Sequence, residues 1–274
     1  MGRNLGWALA VAVSLAGIGA ASAADMAVKA RPMPVMIYSW TGCYIGFSAG
    51  GKGVQTRDTV FKPAVAAPAL AASSVDLGRL EDTTWIAGGQ VGCNYQTGNW
   101  VFGIEGDAHG QRWGVSSALV GQIIPPGFAA GDTFELRSDW QASARGRVGY
   151  AVDRTLFYVT GGAAFTEIRA FSSWVAIPGI RAAVLATDDR TLTGWTVGGG
   201  VEYAATNNIT LGLEGRYSSY GTQRFNSGPV ITNVGQLAPA LVTQNTYRDV
   251  RIETGEVMAK VNWKFGPTPV VAKY

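Results

Sequence analysis

Three features of the sequence predict an all-β fold, an eight-stranded antiparallel up-and-down transmembrane β-barrel. Apolar and polar residues alternate with period two rather than 3.6 through eight segments. Tight turns and long connections alternate between those segments, as an up-and-down barrel requires. Trp85, Trp140 and Trp195 recur every 55 residues, each opening a segment after a long connection.

The chain begins with Arg3, an apolar run from Leu5 to about Ile18, and Ala21-Ser22-Ala23. That order of charged, apolar and small residues is a secretory signal, so residues 1–23 are expected to be removed. The competing reading is an uncleaved anchor. Residues 24–40, with Pro32 and Pro34, read as a periplasmic linker, extended where it is polyproline-like. The barrel is expected over 41–265, with strands near 41–52, 83–95, 100–113, 138–151, 155–169, 191–204, 209–225 and 247–265. Gln96-Thr97-Gly98-Asn99, Val152-Asp153-Arg154 and Ala205-Thr206-Asn207-Asn208 carry hairpin chemistry. The remaining connections, 53–82, 114–137, 170–190 and 226–246, read as long external loops, the first containing a low-complexity Ala/Pro-rich run. Residues 266–274 follow as a tail in which Pro267 and Pro269 stop the last strand.

The tryptophan interval becomes a thickness when the tyrosines are added. Tyr95 follows Trp85 by ten residues, Tyr150 follows Trp140 by ten, and Tyr203 follows Trp195 by eight. Ten residues at ~3.3 Å, tilted by ~40°, rise roughly 25 Å, the height of an apolar band between two aromatic girdles. Trp263 and Phe265 close the last strand in the same manner.

Composition excludes several classes. Charged residues make up only 15% and the net charge is +3, which gives no basic field for nucleic acid. One histidine and two cysteines cannot supply a structural zinc set, and no cofactor motif stands out. Glu105, Asp107, Glu202 and Glu214 share the polar face with Arg145, Arg147, Arg216 and Lys260. In an eight-stranded barrel these would fill the interior as a paired core. A lipocalin-like or sandwich fold, with the same charges on solvated outer faces, is the competing architecture.

Several motifs together resemble a family. Trp40-Thr41-Gly42-Cys43-Tyr44-Ile45-Gly46, Gly88-Gly89-Gln90-Val91-Gly92-Cys93-Asn94-Tyr95 and Phe102-Gly103-Ile104-Glu105-Gly106-Asp107 are similar to the small outer-membrane barrels of alphaproteobacteria. Such proteins are called outer membrane immunogenic or opacity-type porin-family proteins. Gly146-Arg147-Val148-Gly149-Tyr150, Tyr158-Val159-Thr160-Gly161-Gly162-Ala163, Gly194-Trp195-Thr196-Val197-Gly198-Gly199-Gly200 and Val261-Asn262-Trp263-Lys264-Phe265 extend the likeness over residues 40–265. The resemblance implies residence in the outer membrane of a Gram-negative bacterium. It also implies exposed loops that act as a surface antigen, and a structural or host-contact role without catalysis. Expected partners are outer-membrane lipid and lipopolysaccharide, and the barrel-assembly machinery, which reads a C-terminal aromatic; here nine residues follow Phe265. Ala24-Asp25 resembles mature starts whose amino group is cross-linked to peptidoglycan.

The other candidate sites are weaker. Cys43 and Cys93 fall near the same end of adjacent strands on the lipid-facing parity. Direct neighbours with Cβ atoms ~4.5–5.5 Å apart are slightly wide for a disulfide, which leaves a bond and two free thiols both open. His109 faces inward near Asp107 and Glu105, but neither Ser116 nor Ser143 is fixed beside it as a nucleophile. Gly46 to Gly53 nearly spells a phosphate loop, yet lacks the Ser/Thr and the following helix. Three functions compete: a structural surface barrel, a narrow diffusion pore, and a lipid-modifying enzyme.

Overall fold

A strand of constant parity can serve two environments if its residue types change along its length. The computed structural model, which describes residues 38–66, 69–70, 72–120, 128–178, 181–233 and 241–265, is built this way. Its strands are β1 (Gly42–Lys62), β2 (Val65–Ala66), β3 (Ala69–Leu70), β4 (Ser73–Thr97), β5 (Trp100–Ala118), β6 (Thr133–Val152), β7 (Thr155–Trp174), β8 (Val184–Ala204), β9 (Ile209–Asn233) and β10 (Leu241–Phe265). β2 and β3 form a minimal hairpin, and the other eight close an antiparallel barrel in the order β1-β10-β9-β8-β7-β6-β5-β4. Gly98 (φ 59°) and Asp153 (φ 50°) hold left-handed conformations in two of the short turns, at residue types that tolerate them.

The eight-stranded antiparallel prediction holds, but the strands run much further than the alternation suggested. The expected loops 53–82, 170–190 and 226–246 are largely strand and 114–137 is strand at both ends, and Trp85, Trp140 and Trp195 lie inside β4, β6 and β8 rather than at their starts. The physical reason is a reversal of sense. In β10, Lys264, Lys260 and Glu256 point inward and Trp263, Val261 and Val257 outward. Further along the same strand Ile252 and Val250 are buried while Arg251 is exposed.

Two ladders stop near the tryptophan level. β4 and β5 pair only as far as Ile86 with Gln111, and β8 and β9 only as far as Trp195 with Ser219. The other six ladders continue. Among the described residues the loop-end segment is therefore two four-stranded sheets, β4-β1-β10-β9 and β5-β6-β7-β8. Val54, Phe225 and Ile252 of one sheet share a buried cluster with Trp113, Leu136 and Leu192 of the other. The loop-end segment is thus sandwich-like, but the competing architecture, which put the named charges on solvated outer faces, is not what forms: those charges are buried inside a closed barrel. Each seam is bridged by an aspartate: Asp82 accepts from the Gly114 N–H at 3.0 Å and Asp188 from the Asn226 N–H at 2.8 Å.

Beyond this core a second apolar cluster of Val60, Phe128, Phe134, Trp174 and Val230 caps the loop end. The Arg248–Asp58 and Arg181–Asp132 pairs are buried within it. Lys62 Nζ lies 4.3 Å from the Phe128 ring centroid and 4.6 Å from that of Trp174. At the turn end, Tyr38 and Trp40 pack with Val101, Ala151, Leu156, Tyr158 and Ala204. The expected signal peptide (1–23), most of the linker (24–40) and the tail (266–274) lie outside the described residues.

Candidate functional site

The site is the interior at the level of the apolar band. Five carboxylates (Glu105, Asp107, Glu202, Glu214, Glu256) meet five cations (Lys52, Arg145, Arg147, Arg216, Lys260), all buried. Parity places them: each sits at an inward position of its strand, between outward neighbours that are apolar or small, such as Ile104 and Gly106 around Glu105 or Gly51 and Gly53 around Lys52.

Glu105 is held by Arg145, by Lys260 at 2.9 Å and by Arg147 at 3.6 Å. Glu214 binds Arg145 at 2.5 Å and Lys260 at 2.9 Å. Glu202 binds Arg147 at 2.9 Å, and Asp107 binds Arg145 at 3.0 Å and Arg216 at 3.1 Å. All eight charges named from the sequence therefore belong to one connected network. Arg145 pairs with Glu105 and Arg147 principally with Glu202, which parity alone left open.

Sequence reasoning missed members that the same parity could have found. Arg216 continues to Glu256 at 2.7 Å, and Glu256 to Lys52 at 3.3 Å. Tyr44 donates to Glu105 at 2.6 Å and Tyr158 to Glu214 at 2.7 Å. Each tyrosine faces a glycine across the ladder, Gly92 and Gly200. A Cβ at Gly92 would sit 2.4 Å from the Tyr44 hydroxyl, so the missing side chain is what admits the ring. Arg147 lies between the two, its Cζ 4.0 Å from the Tyr158 centroid.

His109 faces inward as expected, but its serine is neither Ser116 nor Ser143. Ser48 Oγ lies 2.7 Å from His109 Nε2, and Asp107 Oδ1 lies 3.1 Å from Nδ1. This is the spacing of a nucleophilic relay without its alignment, because Nδ1 has no aligned acceptor. Ser48 is also 1% exposed, with no open face for a substrate. Ser143 instead donates to Asp107. The phosphate-loop-like Gly46 to Gly53 stretch lies inside β1.

Cys43 and Cys93 are directly opposite in the register and form a disulfide with Cα atoms 3.9 Å apart. The bond, which the sequence left open against two free thiols, is thus formed. Trp85, Tyr95, Trp140, Tyr150, Trp195, Tyr203, Trp263 and Phe265 all face outward, at 38–71% exposure, where lipid would cover them. Ala24 lies outside the described residues.

A closed barrel with charges inside and an apolar band outside defines an outer-membrane β-barrel protein. The chain belongs to the outer membrane protein beta-barrel domain family, which matches residues 10–265. It is 30% identical to the 31 kDa outer-membrane immunogenic protein of Brucella melitensis, over 89% of this chain and 93% of the relative. The 25 kDa outer-membrane immunogenic protein of Brucella abortus is 28% identical over 78% and 84%. A 22 kDa outer membrane protein of Rhizobium leguminosarum is 34% identical over 52% and 56%. The resemblance drawn from the motifs is to the same alphaproteobacterial group.

Proposed function

We propose that this protein is a non-enzymatic structural barrel that stabilises the envelope, presents its loop end as a surface-interaction module, and is tethered to peptidoglycan through the mature amino group of Ala24. The observation that carries this reading is the filled interior. Arg145, Arg147, Arg216 and Lys260 are each 4% exposed or less and bonded to carboxylates, and apolar clusters cover the network at both ends. Such packing suits rigidity, leaves no course for a diffusing solute, and gives Ser48 no substrate access. Names of relatives that speak of immunogenic outer-membrane proteins fit a surface role. Lipid contacts the outer band; lipopolysaccharide, the assembly machinery and peptidoglycan complete the proposed partners.

Planar-bilayer recording of refolded protein tests the structural reading against the pore. Silent membranes are expected, and stable reproducible channels would replace this reading with a diffusion pore. Mass spectrometry of lysozyme-digested cell walls tests the tether separately. A muropeptide on Ala24 is expected, and only unmodified termini would remove that part. Unchanged lipid A in a deletion strain is expected if the chain performs no lipid chemistry.

A further inference from the structure

Above the tryptophan ring the outer surface is rich in one cation. Every barrel strand carries a solvent-facing arginine there, whereas all four lysines among the described residues are buried. Arginine holds phosphate through two parallel N–H donors, and lysine does so only as a point charge. Two arginine groups each lie on three consecutive strands: Arg79, Arg57 and Arg251 line a groove six residues beyond the Trp85–Gly51 level, and, nearer the ring, Arg112 of β5, Arg137 of β6 and Arg169 of β7 line one groove of about 420 Å³ with Asp139 and Phe171. Arg137 and Arg169 are direct partners in the ladder, a like-charge placement that costs energy without a counter-anion.

Acidic neighbours meet part of that need. Glu135 lies 2.5 Å from Arg137, and Asp139 and Glu167 lie 3.2 and 3.4 Å from Arg169. Arg112 has no carboxylate partner among the described residues, and each paired guanidinium has donors to spare. Height identifies the ligand. Arg112 is two residues beyond Gly110, which pairs with Trp140, and Arg137 is three residues before Trp140. Two to three residues at ~3.3 Å and ~40° tilt put these guanidiniums about 5–8 Å beyond the girdle. The polar headgroup layer occupies roughly that depth. Phe171, with Arg137 Cζ 5.6 Å from its ring centroid, supplies an apolar wall on the groove.

We propose that the Arg112–Arg137–Arg169 groove binds a phosphate of a phosphorylated glycolipid headgroup, of the lipid A class, in the outer leaflet. This rests on the reading of the chain as an outer-membrane barrel and assigns residues to one of its lipid contacts.

The test uses the full mature chain, refolded in detergent with EDTA so that no divalent ion bridges Asp139 to the ligand. Binding of bis-phosphorylated lipid A is compared with that of its dephosphorylated form and of orthophosphate. The wild type is expected to bind the phosphorylated lipid at least tenfold more tightly than either. The triple variant R112Q/R137Q/R169Q is expected to lose that preference, while R57Q/R79Q/R251Q, on the opposite sheet, stays within about twofold of wild type. Equal affinity for the dephosphorylated lipid overturns the proposal, as does equal loss in both variants. Orthophosphate binding as tightly as lipid A overturns it in favour of a free anion site. Heat-modifiability on a gel, measured on every variant, reports the barrel separately; its loss in the wild type would strike the functional reading instead.

Discussion

Below the tryptophan ring the strands point charges inward and apolar groups outward; above it the same strands, in the same parity, turn apolar groups inward and most charges outward, with Asp58, Lys62 and Arg248 kept buried toward the cap. The lower region is surrounded by lipid, so its apolar face needs no protein partner. Its interior is filled by side chains, whose charges are satisfied by ion pairs with one another. The upper region meets water and behaves as a soluble sandwich with an ordinary apolar core. What changes is the solvent, and each face of every strand follows it. The unpaired β4/β5 and β8/β9 edges occur only in the upper region, where water can solvate a free backbone edge; hydrocarbon cannot.

The comparison breaks most sharply if a charge is removed from the lower interior. Glu105→Leu leaves Arg145, Arg147 and Lys260 with too few carboxylates. A loss of about 3–5 kcal/mol is expected, read as a lower urea midpoint for the refolded barrel. A neighbouring experiment places one residue type on the outer face of both regions. Val261→Arg, near mid-band on β10, should cost about 2–4 kcal/mol in lipid. Gln55→Arg on the outer face of β1, between Glu81 and Glu253 in the ladders, should stay within about 0.5 kcal/mol. Similar costs at the two sites would mean that the boundary is misplaced.

The lower region was legible because export, aromatic spacing and alternation all point to one membrane thickness. Ion partners were not legible, since parity fixes the face but not which of several strands a long side chain reaches. The upper region was misread for a different reason. Polar residues outside and apolar residues inside alternate there as well, but in the opposite sense, and Gly, Thr and Asp between 53 and 82 look like loop chemistry. A rule that tracked the phase of alternation across Trp85 would have found the extension. Tyr44 and Tyr158 were missed because a polar lumen residue can also be aromatic when a glycine faces it.

The cap of the upper region offers a titration. Burial and the nearby Arg181 guanidinium push the Lys62 amine down to about 7, against a smaller opposing pull from Asp132. Between about pH 7 and 10.5 the unfolded segment then binds more protons than the folded one. Cap stability should therefore rise with pH from 7 upward and lie flat below it. The slope is at most about 1.4 kcal/mol per pH unit, or about 2 kcal/mol between pH 7 and 8.5. Protease cleavage in the long connections should slow over that window in the wild type, and Lys62→Met should remove the dependence. A pH-independent wild type would mean that the cap does not desolvate the amine.

The smallest expected effect separates a seam from a ladder. Asp188 spans β8 to β9 by accepting from the Asn226 N–H, and its other contact, Arg190 at 2.8 Å, lies on its own strand. Asp188→Asn keeps the size but weakens a charge-assisted acceptor at a half-buried position on the surface, so global stability should fall by no more than about 1 kcal/mol. The informative measurement is local. Amide exchange at Asn226 should quicken several-fold in the variant, while exchange in the Val201–Leu213 ladder below the ring stays unchanged. Faster exchange in both places would mean that the two regions open as one unit and that the seams are not independent joints. Faster exchange at Asn226 alone would establish the upper sheets as a separate cooperative element carried on the barrel.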